Sequence, residues 1–99
     1  MKISDLRAGM NGVNITARVV KVVEKTEVET RFGRSRLTVV ELSDETGSVR
    51  LNLWRRQADL VKVGDLIRIE NGFVLSFKGQ LELNVGGKGR IITLSRARY

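Results

Sequence analysis

The sequence predicts an all-β domain in which five strands form a small Greek-key barrel, with a short helical turn between strands 3 and 4. Apolar and polar residues alternate with period two over most of the chain, as they do in half-buried strands. Turns rich in glycine, aspartate and asparagine separate these runs. Residues 55–61 lack both alternation and glycine and predict a helical plug for one end of the barrel. A chain of 99 residues has room for a single core, so residues 1–99 are expected to form one domain.

The first strand is predicted from Val13 to Val22 and changes phase midway. Its apolar residues occupy alternate positions up to Val19 and then shift by one at Val20, which predicts a β-bulge. A bulge allows a first strand to bend and pair with both halves of a closing sheet. Residues 25–35 have weaker patterning and predict a hairpin loop with extended flanks and Gly33 at its tip.

The fourth strand contains an Asn71-Gly72 pair, which predicts a kink or bulge, with a two-residue hairpin as the competing interpretation. The remaining strands are predicted from the alternation of apolar and polar residues, and the turns from glycine, aspartate and asparagine. Strands are predicted at 36–43, 48–54, 66–77 and 80–85, a last extended piece at 90–94 within a C-terminal extension over 90–99, and turns at 44–47, 63–65 and 78–79.

The first ten residues predict one helical turn, with Ser4 as its cap and Gly9 as its stop, that tucks Ile3 and Leu6 against the barrel. Five strands with a helical connection between the third and fourth match the OB-fold, a partly open Greek-key barrel. A barrel of the SH3 type would give a similar strand count.

The composition favours a polyanionic partner and argues against catalysis. Eighteen Lys and Arg against eleven Asp and Glu give a formal net charge of +7, which attracts nucleic acid; the alternative is a solvated, charge-rich surface. The chain has no Cys and no His, so ordinary zinc sites, thiol nucleophiles and imidazole catalysts are missing, and we expect no enzyme activity, metal or cofactor. No apolar stretch is long enough for a membrane helix and none marks the N-terminus for secretion, so we expect a cytoplasmic protein without a membrane partner.

Three aromatic residues are candidates for stacking on bases. Trp54 has the opposite parity to the apolar residues of its strand and shares a face with Arg50 and Asn52, although it could also pack at the barrel rim. Phe73 and Phe77 lie near the end of the fourth strand, where an OB-fold presents its ligand surface, or else belong to the core. Every base has a flat π-face, so such rings bind without marked sequence preference.

Cations and amides complete the candidate surface, because arginine can pair with a phosphate and also stack on a base. The alternative for the loop arginines is plain solvation, since isolated surface charges contribute little energy. The predicted basic and polar contacts are Arg31, Arg34, Arg36, Arg50, Asn52, Arg55, Arg56, Lys78 and Asn84.

Two other motifs carry no site. The adjacent carboxylates of Asp44 and Glu45 lie in a turn that favours aspartate for conformational reasons, and no further carboxylate converges on them. The glycine-rich run over 86–89 has the composition of a phosphate loop but neither its spacing nor its following helix.

Four runs of the sequence together resemble a known family. In order, they are DETGSVRLNLW (44–54), VGDLIRI (63–69), NGF (71–73) and FKGQLELN (77–84). The combination resembles the archaeal single-OB proteins that bind single-stranded DNA, and it is similar to the DNA-binding subunit of the human sensor-of-single-stranded-DNA complex. The resemblance extends from Ile3 to about Gly89.

The resemblance implies that Trp54, Phe73 and Phe77 stack on successive bases. It also implies binding and protection of single-stranded DNA in replication, recombination and repair, with replication or repair proteins as further partners and a monomer or weak oligomer as the assembly. RNA binding and a protein-interaction role are the alternatives. Asn84 replaces an aromatic ring found in some relatives, so a polar contact is expected there. The chain ends at Arg96-Ala97-Arg98-Tyr99 where relatives continue into a tail.

Overall fold

A computed structural model describes residues 1–97 of the chain. These residues include two 3-10 helices. Ile3–Asp5 precedes the first strand, and Arg55–Leu60 connects the third strand to the fourth. The end of the predicted C-terminal extension, residues 98–99, lies outside the described part. Across residues 1–97, no helix has the length and apolar character needed to cross a bilayer. The strands are β1 (Val13–Thr30), β2 (Gly33–Asp44), β3 (Gly47–Trp54), β4 (Leu66–Phe77), β5 (Gln80–Asn84) and β6 (Arg90–Ser95).

Five of these strands close into a ring. β1 pairs with β2, β2 with β3, and β4 with both β5 and β1, all antiparallel, while β3 and β5 pair in parallel. A parallel pair needs a long connection between its strands, and here β4 and the Arg55–Leu60 helix provide it. This strand order is that of an OB-fold and not of an SH3-type barrel, so the predicted fold class is confirmed.

The inward side chains of the ring form one aliphatic core. The predicted inward set of β3, Val49, Leu51 and Leu53, is buried in it. Ile3 and Leu6 cover the core from the N-terminus as predicted. Their burial removes apolar surface from water, the main favourable contribution in a domain of this size.

The predicted caps of the N-terminal turn are wrong. Ser4 lies inside the 3-10 helix, and Lys2 occupies the cap position. The helix ends at Asp5, well before Gly9, whose N–H donates instead to the carbonyl of Val74. The helix is fixed from the barrel, because the backbone N–H of Ile3 donates to Asp44 Oδ2 at 2.9 Å, a contact between distant residues that no local pattern reveals.

The predicted bulge near Val19 is confirmed. The register of β1 against β2 shifts between Val19 and Lys21, and again between Val22 and Glu24. Bulges increase local bending and twist, so the N-terminal half of β1 pairs with β4 while the C-terminal half leaves the ring with β2.

The predicted hairpin over residues 25–35 with extended flanks is confirmed, and the flanks are regular strands that leave only a tight turn at residues 31–32. β1 runs on to Thr30 and β2 begins at Gly33, whose φ of +104° suits a glycine in the tight turn. The Thr30 hydroxyl donates to the Gly33 carbonyl at 2.6 Å. Opposite charges face each other across the strands, with Glu29 opposite Arg34 and Glu27 opposite Arg36, which favours pairing over a loop.

The predicted kink at Asn71-Gly72 is confirmed, and the competing hairpin is not formed. β4 continues through the pair, with Asn71 at a φ of +56°. Ile69 is buried before the kink and Val74 after it. The side chains that point into the core therefore lie at odd-numbered positions before the kink and at even-numbered positions after it. The residues after the kink that would have pointed into the core, Phe73 among them, therefore point outward.

Replacing Gly72 with alanine is expected to lower the free energy of unfolding by about 1–3 kcal/mol through overpacking. A Cβ there would lie 2.9 Å from Ile69 Cγ2 and 3.1 Å from the carbonyl oxygen of Asn84. Gly87→Ala is the matched control, since nothing lies within 4 Å of its added Cβ. Urea unfolding of both variants measures the difference, and equal midpoints would contradict tight packing at the kink.

The last extended piece is a sixth strand rather than a peripheral extension. β6 pairs with β4, with Ile91 opposite Ile69. The chain beyond it is held by Asp65, which is fully buried and accepts hydrogen bonds from the backbone N–H of Ala97 at 2.8 Å and of Lys62 at 3.0 Å. Burial acts to raise the pKa of Asp65, but these two hydrogen bonds, with the charge of Arg96, outweigh it and hold the pKa below its usual value.

The folded state is expected to lose stability in acid through Asp65. Because its pKa is lowered on folding, the carboxylate stabilises the native state above its unfolded pKa of about 3.9, and this contribution is lost as pH falls through the folded pKa. Asp65→Asn should be less stable than the parent by about 1–3 kcal/mol at pH 7, because one buried N–H loses its acceptor. It should also lose less stability between pH 5 and pH 2. Thermal unfolding across that range is the measurement, and parallel curves for both proteins would contradict this role.

Candidate nucleic-acid interface

The outward face of β2, β3, β5 and β4 forms one continuous surface, which we call the stacking face. Its cross-strand register places Asn52 between Val39 and Asn84, with Phe73 on the far side of Asn84. A second row runs from Glu41 through Arg50 and Glu82 to Leu75. Trp54 lies opposite Leu37, and Phe77 opposite Gln80. Because paired residues in a sheet point to the same side, these side chains share one face.

Trp54 ends β3 on the stacking face and is absent from the buried core. Its ring is half-buried, and its indole N–H donates to Asn84 Oδ1 at 3.4 Å. The backbone N–H of the same residue donates to Gln57 Oε1 at 2.9 Å. The indole is therefore fixed at its nitrogen edge while part of the ring stays open to solvent.

The outward side chains in the C-terminal half of β4 add an apolar region to the stacking face. Phe77 is 59% exposed and Leu75 51% exposed, while Phe73 is half-buried with its Cε1 close to Gly86. The ammonium of Lys78 lies 5.3 Å from the centre of the Phe77 ring, a cation–π distance. Leu75 was not among the predicted site residues. The sequence feature that could have identified Leu75 is the period-two spacing of positions 73, 75 and 77.

Asn52 and Asn84 lie at the centre of the stacking face but are buried, at 6% and 4% exposure. The amide nitrogen of Asn52 donates to Asn84 Oδ1 at 3.3 Å and to Glu82 Oε1 at 3.1 Å. Asn84 Oδ1 thus accepts from both Asn52 and Trp54. In this structure Asn84 therefore holds the indole nitrogen and Asn52 holds Asn84, and neither amide is open to solvent.

Four of the predicted cations lie within the stacking face or at its border. Arg50 lies within the face between Glu41 and Glu82, so the centre of the face is close to neutral. The guanidinium of Arg55 donates to Ser35 Oγ at 3.0 and 3.1 Å, which holds it over the outer side of β2. The other two, Arg56 and Lys78, are exposed at its ends.

Arg34 and Arg36 are not brought together with Trp54. Leu37 faces Trp54, so by alternation Arg34 and Arg36 project from the opposite side of the hairpin. Arg34 also lies 3.5 Å from a carboxylate oxygen of Glu27. Arg31 lies in the turn at the hairpin tip, away from both sides.

Phe32, next to Arg31 at the tip, has an 83% exposed ring. Its exposure follows from the length of the hairpin, because the pairing of β2 with β3 ends at Leu37 and nothing in the described chain reaches the tip.

The acidic turn has a structural role. Asp44 accepts hydrogen bonds from the backbone of Ile3 and of Thr46, and Glu45 pairs with Lys2. Burial acts to raise the pKa of Asp44, but its hydrogen bonds hold the pKa below the usual value. Within residues 1–97, no group of three or more acidic, His or Cys side chains is placed to hold a metal ion.

An OB ring whose outer face carries exposed aromatic rings is the arrangement with which OB domains bind oligonucleotides and oligosaccharides. The fold and the stacking face thus define an OB-type binding domain. The chain belongs to the family described as single-stranded DNA binding protein Ssb-like, OB fold, whose model matches residues 6–93.

Individual relatives agree with this assignment. The single-stranded DNA binding protein Ssb of Saccharolobus solfataricus is 37% identical over 94 residues, which are 95% of this chain and 64% of that protein. The chain thus spans less than two thirds of this relative's length. A crystal structure of a domain of replication protein A from Methanococcus maripaludis is 35% identical with a TM-score of 0.76, covering 97% of this chain and 96% of that one. The OB domain of Ta0387 from Thermoplasma acidophilum has the same fold, with a TM-score of 0.84 at 24% identity, covering 100% of this chain and 90% of that one.

Proposed function

We propose that this domain binds single-stranded DNA with little sequence preference and protects it during replication, recombination and repair, without catalysis. The observation that supports this most strongly is the stacking face. Trp54, Phe73 and Phe77 lie on one outward surface, and Phe77 is largely exposed although water disfavours exposed rings. The name of the Saccharolobus solfataricus relative and the description of the family support single-stranded DNA as the ligand. The similarity to the human sensor subunit stays a prediction.

Binding proceeds by stacking of successive bases along β4 and across to the end of β3. Each stacked base contributes about 1–3 kcal/mol, and any base can stack. The backbone of the strand follows the border cations Arg55, Arg56 and Lys78, while the alternating charges in the centre of the face give little net attraction. One OB domain of this kind covers about 4–16 nucleotides. The overall charge of +7 accelerates the encounter.

The intrinsic fluorescence of Trp54, the only tryptophan, tests the proposal. Its emission is expected to be quenched on addition of oligo-dT and to stay unchanged with blunt duplex of equal length. RNA of the same length is titrated in parallel, because recognition of the 2′-OH decides between the two ligands. Unchanged emission together with no mobility shift would contradict nucleic-acid binding. Tighter binding of RNA would reassign the ligand.

A further inference from the structure

A cleft of about 430 Å3 lies against the β1–β2 hairpin, and most of its hairpin lining projects from the side opposite to the stacking face, although Leu37 also borders it. It separates the hairpin from the segment between Ala58 and Val63, and we call it the hairpin cleft. The sequence predicted a helical plug at this end of the barrel. The segment covers this end only in part: the Arg55–Leu60 helix has no fully buried residue, but Ala58 packs against the core and Val61 belongs to it. The lining residues used below are Val19, Val22, Lys25, Arg36, Val40, Leu53, Asp59, Val61 and Lys62.

The floor of the hairpin cleft is aliphatic. Val19, Val40, Leu53 and Val61 belong to the core and reach the cleft, and Val22 is 44% exposed at its edge. Among residues 1–97, no aromatic ring lines the cleft, so this part of the chain offers no platform for base stacking there. Its volume is within the range of about 300–1,000 Å3 typical of pockets that enclose ligands. The floor therefore suits branched aliphatic side chains.

The rim of the hairpin cleft is cationic. Lys25, Arg36 and Lys62 are exposed, and within residues 1–97 none of them forms an ion pair. Of the two carboxylates in the lining, Glu27 already contacts Arg34, which leaves Asp59. Complementary charge selects a partner and speeds association. The rim therefore favours an acidic occupant.

An open strand edge runs beside the hairpin cleft. Residues 24–30 of β1 pair with β2 along one edge, whereas β4 pairs only with residues 13–18, so the other edge of 24–30 faces no strand of the described chain. Unpaired main-chain groups on such an edge can accept an added strand. An extended peptide satisfies them, while a nucleic acid cannot form this ladder.

We propose that the hairpin cleft binds an extended acidic segment of a partner protein. The segment adds to the open edge of β1, places alternate aliphatic side chains on the floor and directs its carboxylates to Lys25, Arg36 and Lys62. Because most of the hairpin residues that line the cleft project from the side opposite to the stacking face, the domain can hold a DNA strand and this partner at once. The proposal does not depend on the nature of the ligand at the stacking face.

A short fluorescein-labelled peptide of alternating aspartate and valine is the probe. Anisotropy is expected to show binding, with at least tenfold weaker binding when serine replaces valine or lysine replaces aspartate. In 15N-labelled protein, the amide signals of Val22, Lys25 and Ala58 should shift, while the signals of Trp54 and Phe77 should not. Oligo-dT at saturation should leave the peptide bound.

The double variant Lys25→Gln/Lys62→Gln is expected to bind the peptide about five- to tenfold more weakly, because two rim charges are lost. Lys21→Gln/Lys88→Gln is the matched control, since it removes the same charge outside the lining and should bind like the parent. All four side chains belong to exposed residues, and circular dichroism checks that each variant is folded.

Three results would overturn the proposal: no binding of the peptide at millimolar concentration, displacement of the peptide by oligo-dT, or amide shifts at Val22 and Lys25 caused by the oligonucleotide instead. The last result would assign the cleft to nucleic acid. None of them depends on the outcome of the Trp54 quenching experiment, so the two proposals fail separately.

Discussion

A tenfold increase in monovalent salt is expected to weaken binding of single-stranded oligonucleotide about a thousandfold. If four phosphates are neutralised, the logarithm of affinity falls with the logarithm of salt at a slope of about −3, from about −0.7 per phosphate. Four cations border or occupy the stacking face, Arg50, Arg55, Arg56 and Lys78. Fluorescence or anisotropy titrations of oligo-dT at several salt concentrations measure the slope.

Arg56→Gln should make this slope less steep by about 0.7, because one phosphate contact is lost. Lys62→Gln removes an exposed charge at the hairpin cleft, outside the stacking face, and should leave the slope unchanged. A slope shallower than about −1 in the parent protein would contradict phosphate contacts. That result would favour a protein ligand on the stacking face.

Trp54→Ala is expected to weaken oligo-dT binding about 5- to 150-fold, which corresponds to the loss of about 1–3 kcal/mol from one stacked base. The variant has no tryptophan, so the measurement is the anisotropy of a labelled oligonucleotide. Trp54→Phe should lose less, because it keeps a ring and gives up only the hydrogen bond to Asn84.

Leu94→Ala is a suitable control for this experiment. Leu94 is an exposed apolar residue on β6, outside the stacking face, and its truncation should leave affinity unchanged. Equal affinity of the parent and Trp54→Ala, with both proteins folded, would remove base stacking at this position from the mechanism.

Most of the fold could be predicted from local pattern. Alternation predicted the strands that became β3, β4 and β5 to within a residue or two, because each carries one buried and one solvated face. Asn71-Gly72 was correctly interpreted as a kink. The hairpin over residues 25–35 was predicted, but the regular pairing of its flanks was not. These residues bury little, so their strand structure depends on cross-strand pairs such as Glu29 and Arg34, which a single segment does not display.

The candidate site was predicted more by residue type than by position. Trp54, Phe73 and Phe77 do share a surface with Arg50, and Arg55 borders it. The amides of Asn52 and Asn84 turned out to be buried supports of the indole. Leu75 and Phe32 were overlooked as surface features. Arg34 and Arg36 belong to the other side of the hairpin, and Arg36 lines the hairpin cleft.

Composition and short-range alternation were enough to predict which segments form strands, which side chains of those strands enter the core and how much positive charge the surface carries. Long-range contacts were needed to establish which face each side chain occupies beyond a bulge, which distant strands become neighbours and where the barrel stays open. The reason is geometric: one extra residue in a strand reverses the direction of every side chain after it, and the pairing of β3 with β5 joins residues that are 32 positions apart.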